Sequence, residues 1–315
     1  MPLPERKLIE RIRAHAGVAH APSRVLARGI GDDCAVLRPP RGHELLITTD
    51  FSLEDVHFRR DWHPAECVGP RCLARGLSDI AAMGGEPLAA FLSLALPASL
   101  EQRWVDGFLR GLMKLAKRFN VPLAGGDIAQ SPAGVLADIV VVGSVPQRKA
   151  LLRSGAKAGD ALYVTGSLGG SAAAIEQMRA GKKLRPAQNR AHFFPEPRIA
   201  VGRPLRQRHL ASACIDLSDG LSTDLSHICE ESGVGAVIYA ESIPVEPGAT
   251  LDLALHGGED YELLFTAPAR ARVPKQIAGI AVTPIGEVIR GDRVFISDRS
   301  GRRKPLAPRG WEHFR

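Results

Sequence analysis

The sequence predicts an α/β (α+β) protein made of two domains. Three observations support this prediction: the chain has 315 residues, helical and strand-like hydrophobic patterns alternate along it, and the pattern restarts near residue 148. Two domains of roughly 150 residues each are the usual arrangement for a chain of this length. We therefore expect a first domain over residues 1–148 and a second over residues 149–315.

The first half contains helical and strand patterns in turn. Apolar residues recur at helical spacing in three segments, and short apolar runs of strand length separate them. We predict helices over 3–16, 64–83 and 100–119, and strands over 45–49, 89–96, 121–124 and 135–145.

The second half begins after a glycine-containing turn at 154–160, which predicts a chain reversal before a new strand. Helical patterns start at Ser171 and cover 221–231. We predict strands over 161–165, 213–217, 236–240, 262–266, 282–289 and 294–297.

Composition excludes several classes of protein. The formal net charge is +7, but aromatic residues make up only 5% of the chain, so we expect no stacking platform for bases and no nucleic-acid partner. No run of eighteen apolar residues and no apolar leader occur, which predicts no membrane association and a cytoplasmic location. The five cysteines form no CxxC pair, as expected where thiols stay reduced.

Acidic residues gather in loops rich in glycine and serine. Each loop alone is explained by ordinary turn and helix-cap chemistry. Several carboxylates at strand ends would nevertheless repel one another unless cations lay between them, and an oxygen-only ligand set favours Mg²⁺ over zinc. The loops contain Asp32 and Asp33, Asp50, Asp79, Asp127, Asp216 and Asp219, and Glu259 and Asp260.

Phosphate binding has no simple sequence signature in this chain. The GxxxxGK[ST] pattern is absent, which excludes a Walker-type nucleotide site. The segment 164–171, VTGSLGGS, predicts either a phosphate cradle at a helix N-terminus or a tight turn with a serine cap, and we favour the turn. A zinc site at His57, His63, Cys67 and Cys72 is disfavoured because the two cysteines, five residues apart on a predicted helix, face away from each other.

Nine short motifs follow one another in an order that resembles the thiamine-monophosphate kinase family. This family belongs to the superfamily of aminoimidazole ribonucleotide synthetase, selenophosphate synthetase and the hydrogenase-maturation carbamoyl dehydratase. The motifs are GIGDDCAVL (29–37), TTD (48–50), VHF (56–58), LSDIAAMG (77–84), GGD (125–127), SGAKAGD (154–160), VTG (164–166), DLSDGL (216–221) and GGEDYELLFT (257–266).

The resemblance implies a two-domain fold like that of aminoimidazole ribonucleotide synthetase. The N-terminal α/β domain would bind ATP and magnesium and pair its sheet with that of a second subunit in a homodimer, and the C-terminal α/β domain would complete the active site. The implied activity is the last step of thiamine diphosphate biosynthesis, in which ATP phosphorylates thiamine phosphate by direct in-line transfer.

The resemblance also implies roles for individual residues. Asp50, Asp127 and Asp219 would assist a metal-dependent transfer that uses no general base, while Asp32 and Asp260 would shape turns. The implied ATP contacts are Gly126, Asp127, Arg153 and Ser218, and the implied contacts to thiamine phosphate are His57, Glu259 and Trp311. Several Mg²⁺ ions would be held by Asp33, Thr48, Thr49, Asp50, Asp79, Asp127, Asp216 and Asp219.

The chain departs from the family pattern at two places. Asp55 stands where the family has glycine before Val-His-Phe, and Ile128-Ala129-Gln130 replaces the usual Thr-Thr-Arg after GGD. Two alternatives remain open at this stage. One is another ATP-using enzyme of the same superfamily, and the other is a non-catalytic relative that binds nucleotide or nucleic acid.

Overall fold

The computed structural model describes residues 1–16, 25–31 and 33–314. The chain forms two compact units, the first comprising Met1–Ile80 and Glu86–Arg148 and the second comprising Ala81–Gly85 and Lys149–Arg315. The short segment Ala81–Gly85 begins at the end of the helix Ala65–Ala82 and belongs to the second unit. Within that unit, Met83 O accepts the backbone N–H of Leu151 at 3.1 Å.

The first unit combines three helices with a two-stranded hairpin and a four-stranded sheet. Its elements are α1 Glu5–Ala16, β1 Leu26–Arg28, β2 Val36–Leu37, β3 His43–Leu53, α2 Ala65–Ala82, β4 Glu86–Pro97, α3 Gln102–Arg118, β5 Leu123–Ser131 and β6 Leu136–Pro146.

The strand order of the four-stranded sheet is β3-β6-β4-β5. β6 is antiparallel to β3 and β4, while β4 and β5 are parallel, so the two edge strands run in the same direction. α2 packs closely on one face, because a Cβ on Gly76 would lie 2.7 Å from Cγ2 of Val141 on β6. We call this the inner face and the opposite one the outer face. The inner face is the buried one: Ile139 and Val141 are fully enclosed.

The second unit is built around one large sheet. Its elements are β7 Ala161–Thr165, α4 Gly170–Arg179, α5 Arg190–Phe193, α6 Ile199–Gln207, β8 Ala213–Asp216, α7 Leu221–Ser232, β9 Gly235–Tyr239, a 3₁₀ turn at Ala240–Ser242, α8 Leu251–His256, β10 Leu263–Ala267, β11 Gln276–Ile277, β12 Ile280–Ile289, β13 Val294–Ser297 and β14 Arg303–Pro305.

The strand order of this sheet is β14-β13-β9-β12-β7-β10-β8, with β11 paired to β12. Only β13 and β9 are parallel, and the neighbouring pairs are antiparallel. Antiparallel pairing places the end of β8 beside the start of β10, where Asp216 is in register with Leu263. The core of the unit packs Leu225 and Ile228 of α7 against Ile215 and Leu264 of these strands.

The predicted two-unit α/β architecture is confirmed, and each predicted helix and strand has a counterpart. Sequence patterns missed the shortest elements and those that lack clear periodicity, including the β1–β2 hairpin, α8 and β14. They also missed α6, which carries Pro204 within it; proline is a poor indicator of a helix interior. In the part of the chain that the structure describes, no helix has the length and apolar character needed to cross a membrane.

Candidate active site

In the first unit, β3 and α2 bring together three oxygen-bearing side chains on the inner face. Thr48 and Asp50 are two residues apart on β3 and so point to the same side. The Thr48 hydroxyl donates a hydrogen bond to the Asp79 carboxylate of α2. Burial raises the pKa of Asp50 from 3.8 to about 6; the negative charge of Asp79 acts in the same direction, while the nearby Arg75 opposes it. We call Thr48, Asp50 and Asp79 the inner-face site.

Thr49 points away from this site, since successive residues of a strand face opposite sides. Its hydroxyl donates to Oδ1 of Asp138 on β6 at 2.7 Å. The neighbouring outer-face residues Ile47 and Phe51 are 69% and 54% exposed. The Thr49 side chain is therefore separated from those of Thr48 and Asp50. Its partner Asp138 is an outer-face carboxylate that was not predicted from the sequence.

Gly126 and Asp127 lie on β5, at the opposite edge of the sheet from β3. Three inter-strand spacings of about 4.8 Å put the two edge backbones roughly 14 Å apart, so one chain does not bring Asp127 to Asp50. Gly126 has φ 150°, and a Cβ there would lie 1.8 Å from the carbonyl oxygen of Leu92. Only glycine fits, because the backbone of β5 lies directly against Leu92 of β4 at this point.

Two other predicted residues of the first unit lie in loops. Asp33 is exposed between β1 and β2, in a hairpin whose Leu26 packs on Ala89 and Ala124. Asp32 lies outside the described residues. His57 follows β3, and its Nδ1 accepts the backbone N–H of Leu53 at 3.0 Å, so the neutral ring carries its proton on Nε2.

Asp55, where the family has glycine, adopts φ 67°. This is the left-handed region, which glycine enters without cost and aspartate tolerates better than most residues. Its N–H donates to the carbonyl of Phe58 at 2.7 Å. Asp55 thus occupies a left-handed turn that is closed by a backbone hydrogen bond.

In the second unit, three segments bring predicted site residues together: residues 216–220, 257–262 and 309–311, which we call the three-loop site. Their backbones are joined directly. Glu259 N–H donates to Ser218 O at 2.7 Å, and Trp311 N–H donates to Asp219 O at 3.0 Å. With Asp216 at the end of β8, five predicted residues from distant parts of the chain share this site.

The middle segment of the three-loop site has an unusual backbone. Glu259 and Tyr261 have φ of 63° and 51°, and side-chain-bearing residues rarely adopt this region. A Cβ on Gly258 would lie 2.6 Å from Ser218 O. Strained backbone of this kind persists where surrounding contacts enforce it and is concentrated at functional sites.

Asp224 and His227 are additional members of the three-loop site that sequence reasoning missed. One ligand atom from each of them and from Asp219 lies within 4.8 Å of the others, the only such group of three found among the described residues. Asp224 Oδ2 accepts the N–H groups of Gly220 at 3.0 Å and Asp219 at 3.2 Å. Burial, then the charges of Asp216 and Asp219, raise its pKa well above 3.8. The signal in the sequence was the i, i+3 spacing of an acid and a histidine on one helix face.

Arg153 does not join the three-loop site through its backbone. Its carbonyl accepts the hydroxyl of Ser232 at 3.0 Å, at the C-terminal end of α7. Asp219 lies just before the N-terminal end of the same helix, which has 12 residues and a length of about 18 Å. The exposed Arg153 side chain therefore starts a helix length away from Ser218.

The segment 164–171 is a turn in which a backbone N–H group at the start of α4 already has a hydrogen-bond acceptor within the protein. Gly169 N–H, at the start of α4, donates to Oδ2 of Asp260 at 2.8 Å. A carboxylate thus occupies the position that a bound phosphate would take, and the structure favours the turn interpretation. Burial raises the pKa of Asp260 to about 8.

The residues considered for zinc have other surroundings. Burial raises the pKa of Cys67 to about 11 and that of Cys72 to about 12, so both stay protonated thiols at neutral pH. Nδ1 of His63 accepts the backbone N–H of Arg59 at 3.1 Å. Zinc at these four residues therefore stays disfavoured.

Two family models match the chain in succession. The N-terminal domain of AIR synthase related protein matches residues 31–145, and the C-terminal domain of AIR synthase related protein matches residues 157–299. Thiamine-monophosphate kinase of Escherichia coli (strain K12) is 39% identical over 303 residues, which cover 91% of this chain and 91% of that protein.

Solved structures agree with the sequence relatives. The crystal structure of thiamine-monophosphate kinase from Stenotrophomonas maltophilia K279a has a TM-score of 0.82 and 34% identity, covering 94% of this chain and 97% of that one. AaThiL complexed with AMPPCP and TMP has a TM-score of 0.78 and 32% identity, covering 100% of this chain and 99% of that one. With relatives of this identity aligned over nearly their full length, the chain belongs to the thiamine-monophosphate kinase family.

Proposed function

We propose that this protein is a thiamine-phosphate kinase, which transfers the γ-phosphoryl group of ATP to thiamine phosphate and releases thiamine diphosphate and ADP. This is the last step of thiamine diphosphate biosynthesis. The observation that carries the proposal is the three-loop site, because four residues of the family motifs and Trp311 meet there from three distant segments. Full-length similarity to thiamine-monophosphate kinases, and to a neighbour whose complex contains AMPPCP and TMP, supports the same activity.

Magnesium fits the residues of the inner-face site. Two carboxylates and a hydroxyl lie together there, the raised pKa of Asp50 reflects burial and repulsion by Asp79, and a hard divalent cation would relieve that repulsion. We propose that Thr48, Asp50 and Asp79 hold magnesium. The wider proposed set adds Asp33, the backbone of Thr49, Asp127, Asp216 and Asp219. When bound, magnesium supplies the positive charge that offsets repulsion between the two phosphate-bearing substrates.

The ATP contacts are proposed at Gly126, Asp127, Arg153 and Ser218. Support comes from the match of Gly126 and Asp127 to the family motif GGD (125–127). The separation of Arg153 from Ser218 means that these two residues would contact different parts of the nucleotide or different copies of it.

The acceptor would be held by His57, Glu259 and Trp311. Trp311 is 49% exposed, and an aromatic face attracts a cationic ring such as thiazolium. Glu259 is joined through its backbone N–H to Ser218, and its carboxylate complements the same positive charge. These residues bind and orient the acceptor.

No side chain is needed as a general base. The second pKa of a terminal phosphate is near 6, so the acceptor oxygen is largely ionised at pH 7 and already nucleophilic. Asp50, Asp127 and Asp219 would then assist only by positioning metal and phosphates for direct in-line transfer, without a phosphoenzyme.

We further propose a homodimer in which the four-stranded sheet pairs with that of a second copy. Two observations support it. Leu45, Ile47 and Phe51 form an exposed apolar row on the outer face of edge strand β3, the kind of surface that marks an association site. Asp50 and Asp127 also lie on opposite edges of the sheet, so a second copy offers the means to bring them together.

We place the enzyme in the cytoplasm and assign it no nucleic-acid or membrane partner. The five cysteines are free thiols, and four of them are buried, a pattern suited to a reducing compartment.

An ADP-release assay tests the activity. Purified protein with Mg²⁺ and ATP should release ADP in the presence of thiamine phosphate, and not with free thiamine or formylglycinamidine ribonucleotide. Turnover with the ribonucleotide would favour another enzyme of the superfamily. No ADP with any acceptor, together with salt-sensitive binding to polynucleotide, would favour the non-catalytic relative.

A further inference from the structure

Arg75 lies beside the inner-face site and has no role in the function proposed above. Its Nε lies 3.6 Å from Oδ1 of Asp50, and the two side chains are only 18% and 25% exposed. A charge pair that is mostly shielded from water is screened less than an exposed one. Arg75 therefore acts on Asp50 more strongly than a surface arginine would.

The position of Arg75 follows from the packing of α2. Arg75 and Asp79 are four residues apart on this helix and so face the same side. Gly76 lets the helix approach the sheet closely, because a Cβ there would lie 2.7 Å from Cγ2 of Val141 on β6, the residue in register with Thr48 of β3. The helix thus presents one cation and one anion to the β3 residues Thr48 and Asp50.

The charges around Asp50 are unequal. Asp79 and Asp138 both repel its carboxylate, and Arg75 is the cation that opposes them. Asp138 lies on the outer face and acts through the sheet, so without Arg75 the carboxylates of Asp50 and Asp79 would face each other on the inner face without that positive charge. A bound divalent cation would have the same effect on them as the guanidinium.

We propose that Arg75 is an internal counter-cation of the inner-face site, which holds the Asp50 carboxylate when no divalent cation is bound and competes with that cation for it. The inference rests on the proposed function, in which Asp50 and Asp79 hold magnesium. Arg75 is a positioning residue, and it lowers the affinity of the inner-face site for a divalent cation.

Metal binding to the full-length, nucleotide-free protein tests the competition. We expect Arg75→Gln to bind Mn²⁺ roughly five-fold more tightly than the wild type, measured by electron paramagnetic resonance of the free ion, since a partly shielded ion pair contributes about 1 kcal/mol. Arg75→Lys, which keeps the charge, should match the wild type. The control Arg110→Gln removes an exposed arginine that pairs with Glu66 at 2.9 Å, and it should change nothing.

A double-mutant cycle in EDTA tests the pairing without any metal. Arg75→Gln should lower the melting temperature by roughly 2–4 °C, and at least half of that loss should disappear in an Asp50→Asn background. Equal or weaker Mn²⁺ binding by Arg75→Gln, or an undiminished loss in the Asp50→Asn background, would overturn the inference. Absence of Mn²⁺ binding in every variant would instead overturn the magnesium site of the proposed function, and the competition with it.

Discussion

The inner-face site and the three-loop site both collect carboxylates, but they stabilise them differently. At the inner-face site a cation, Arg75, opposes the repulsion that Asp50 experiences. At the three-loop site the acidic side chains accept hydrogen bonds from backbone N–H groups instead. Asp224 accepts two of these bonds, and Asp260 accepts one from Gly169. A side-chain cation can be displaced by a metal ion, whereas backbone donors stay in place. The first arrangement therefore favours exchange of a ligand, and the second favours a fixed loop geometry.

Removing one carboxylate at a time should give the largest loss of activity. Asp50→Asn, Asp127→Asn and Asp219→Asn should each lower kcat with thiamine phosphate by at least about 100-fold, because each loses charge that holds metal against phosphate. Circular dichroism should show an unchanged fold. Asp292→Asn, at an exposed position, is the control, and a loss below about three-fold for Asp50→Asn would contradict the assignment of the inner-face site.

A charge on the outer face of β3 should have the next largest effect, on the oligomeric state. Ile47→Asp should convert a dimer into a monomer, because a charge replaces an apolar side chain that is 69% exposed in the single chain. Light scattering coupled to size exclusion measures the change. Leu251→Asp, at an exposed apolar residue of the second unit, should leave the mass unchanged. A wild-type monomer, or a dimer unaffected by Ile47→Asp, would remove the homodimer proposal.

Asp260, in the three-loop site, should make the free energy of unfolding depend on pH. Its folded pKa of about 8 exceeds the value of 3.8, so the folded state retains a proton that the unfolded state releases between about pH 4 and 8. Its contribution to the free energy of unfolding should therefore decline as pH rises through this window, by up to about 1.4 kcal/mol per pH unit. Asp260→Asn should flatten that decline in urea titrations at pH 5 and pH 8. Identical pH slopes for both proteins would refute the shift.

The turn before His57 should give the smallest effect. Asp55 occupies a left-handed conformation with φ 67°, so Asp55→Gly should raise the free energy of unfolding by about 0.5 kcal/mol and Asp55→Ala should lower it by about 1 kcal/mol. Urea denaturation measures both. If glycine and alanine act in the same direction, backbone strain at this turn is not the governing factor.

Much of the fold and part of the site could be predicted from sequence. Asp216 ends β8, and antiparallel pairing of β8 with β10 brings it beside the loop before β10 that contains Glu259. The sequence could not show that Asp50 and Asp127 lie on opposite edges of one sheet, because strand order depends on long-range pairing. It also placed Thr48 and Thr49 in one metal set, although alternation along β3 sends their side chains to opposite faces.

Arg75 and Asp224 were missed for a different physical reason. A lone arginine on a helix has no signature until the surface opposite it is known, and the i, i+3 spacing of Asp224 and His227 does not by itself distinguish a site from an ordinary helix face. Arg75 becomes informative only once α2 lies against β3, and Asp224 only once the backbone of Asp219 and Gly220 turns toward it. Motif order identifies the reacting groups, whereas the groups that hold them in place are found by geometry.

The fate of the γ-phosphoryl group shows whether ATP phosphorylates thiamine phosphate directly. With γ-labelled ATP, Mg²⁺ and thiamine phosphate, we predict that the label appears in thiamine diphosphate at the rate of ADP formation and that none is trapped on the protein. Label recovered as a protein-bound phosphate, or as inorganic phosphate without thiamine diphosphate, would contradict direct transfer to thiamine phosphate.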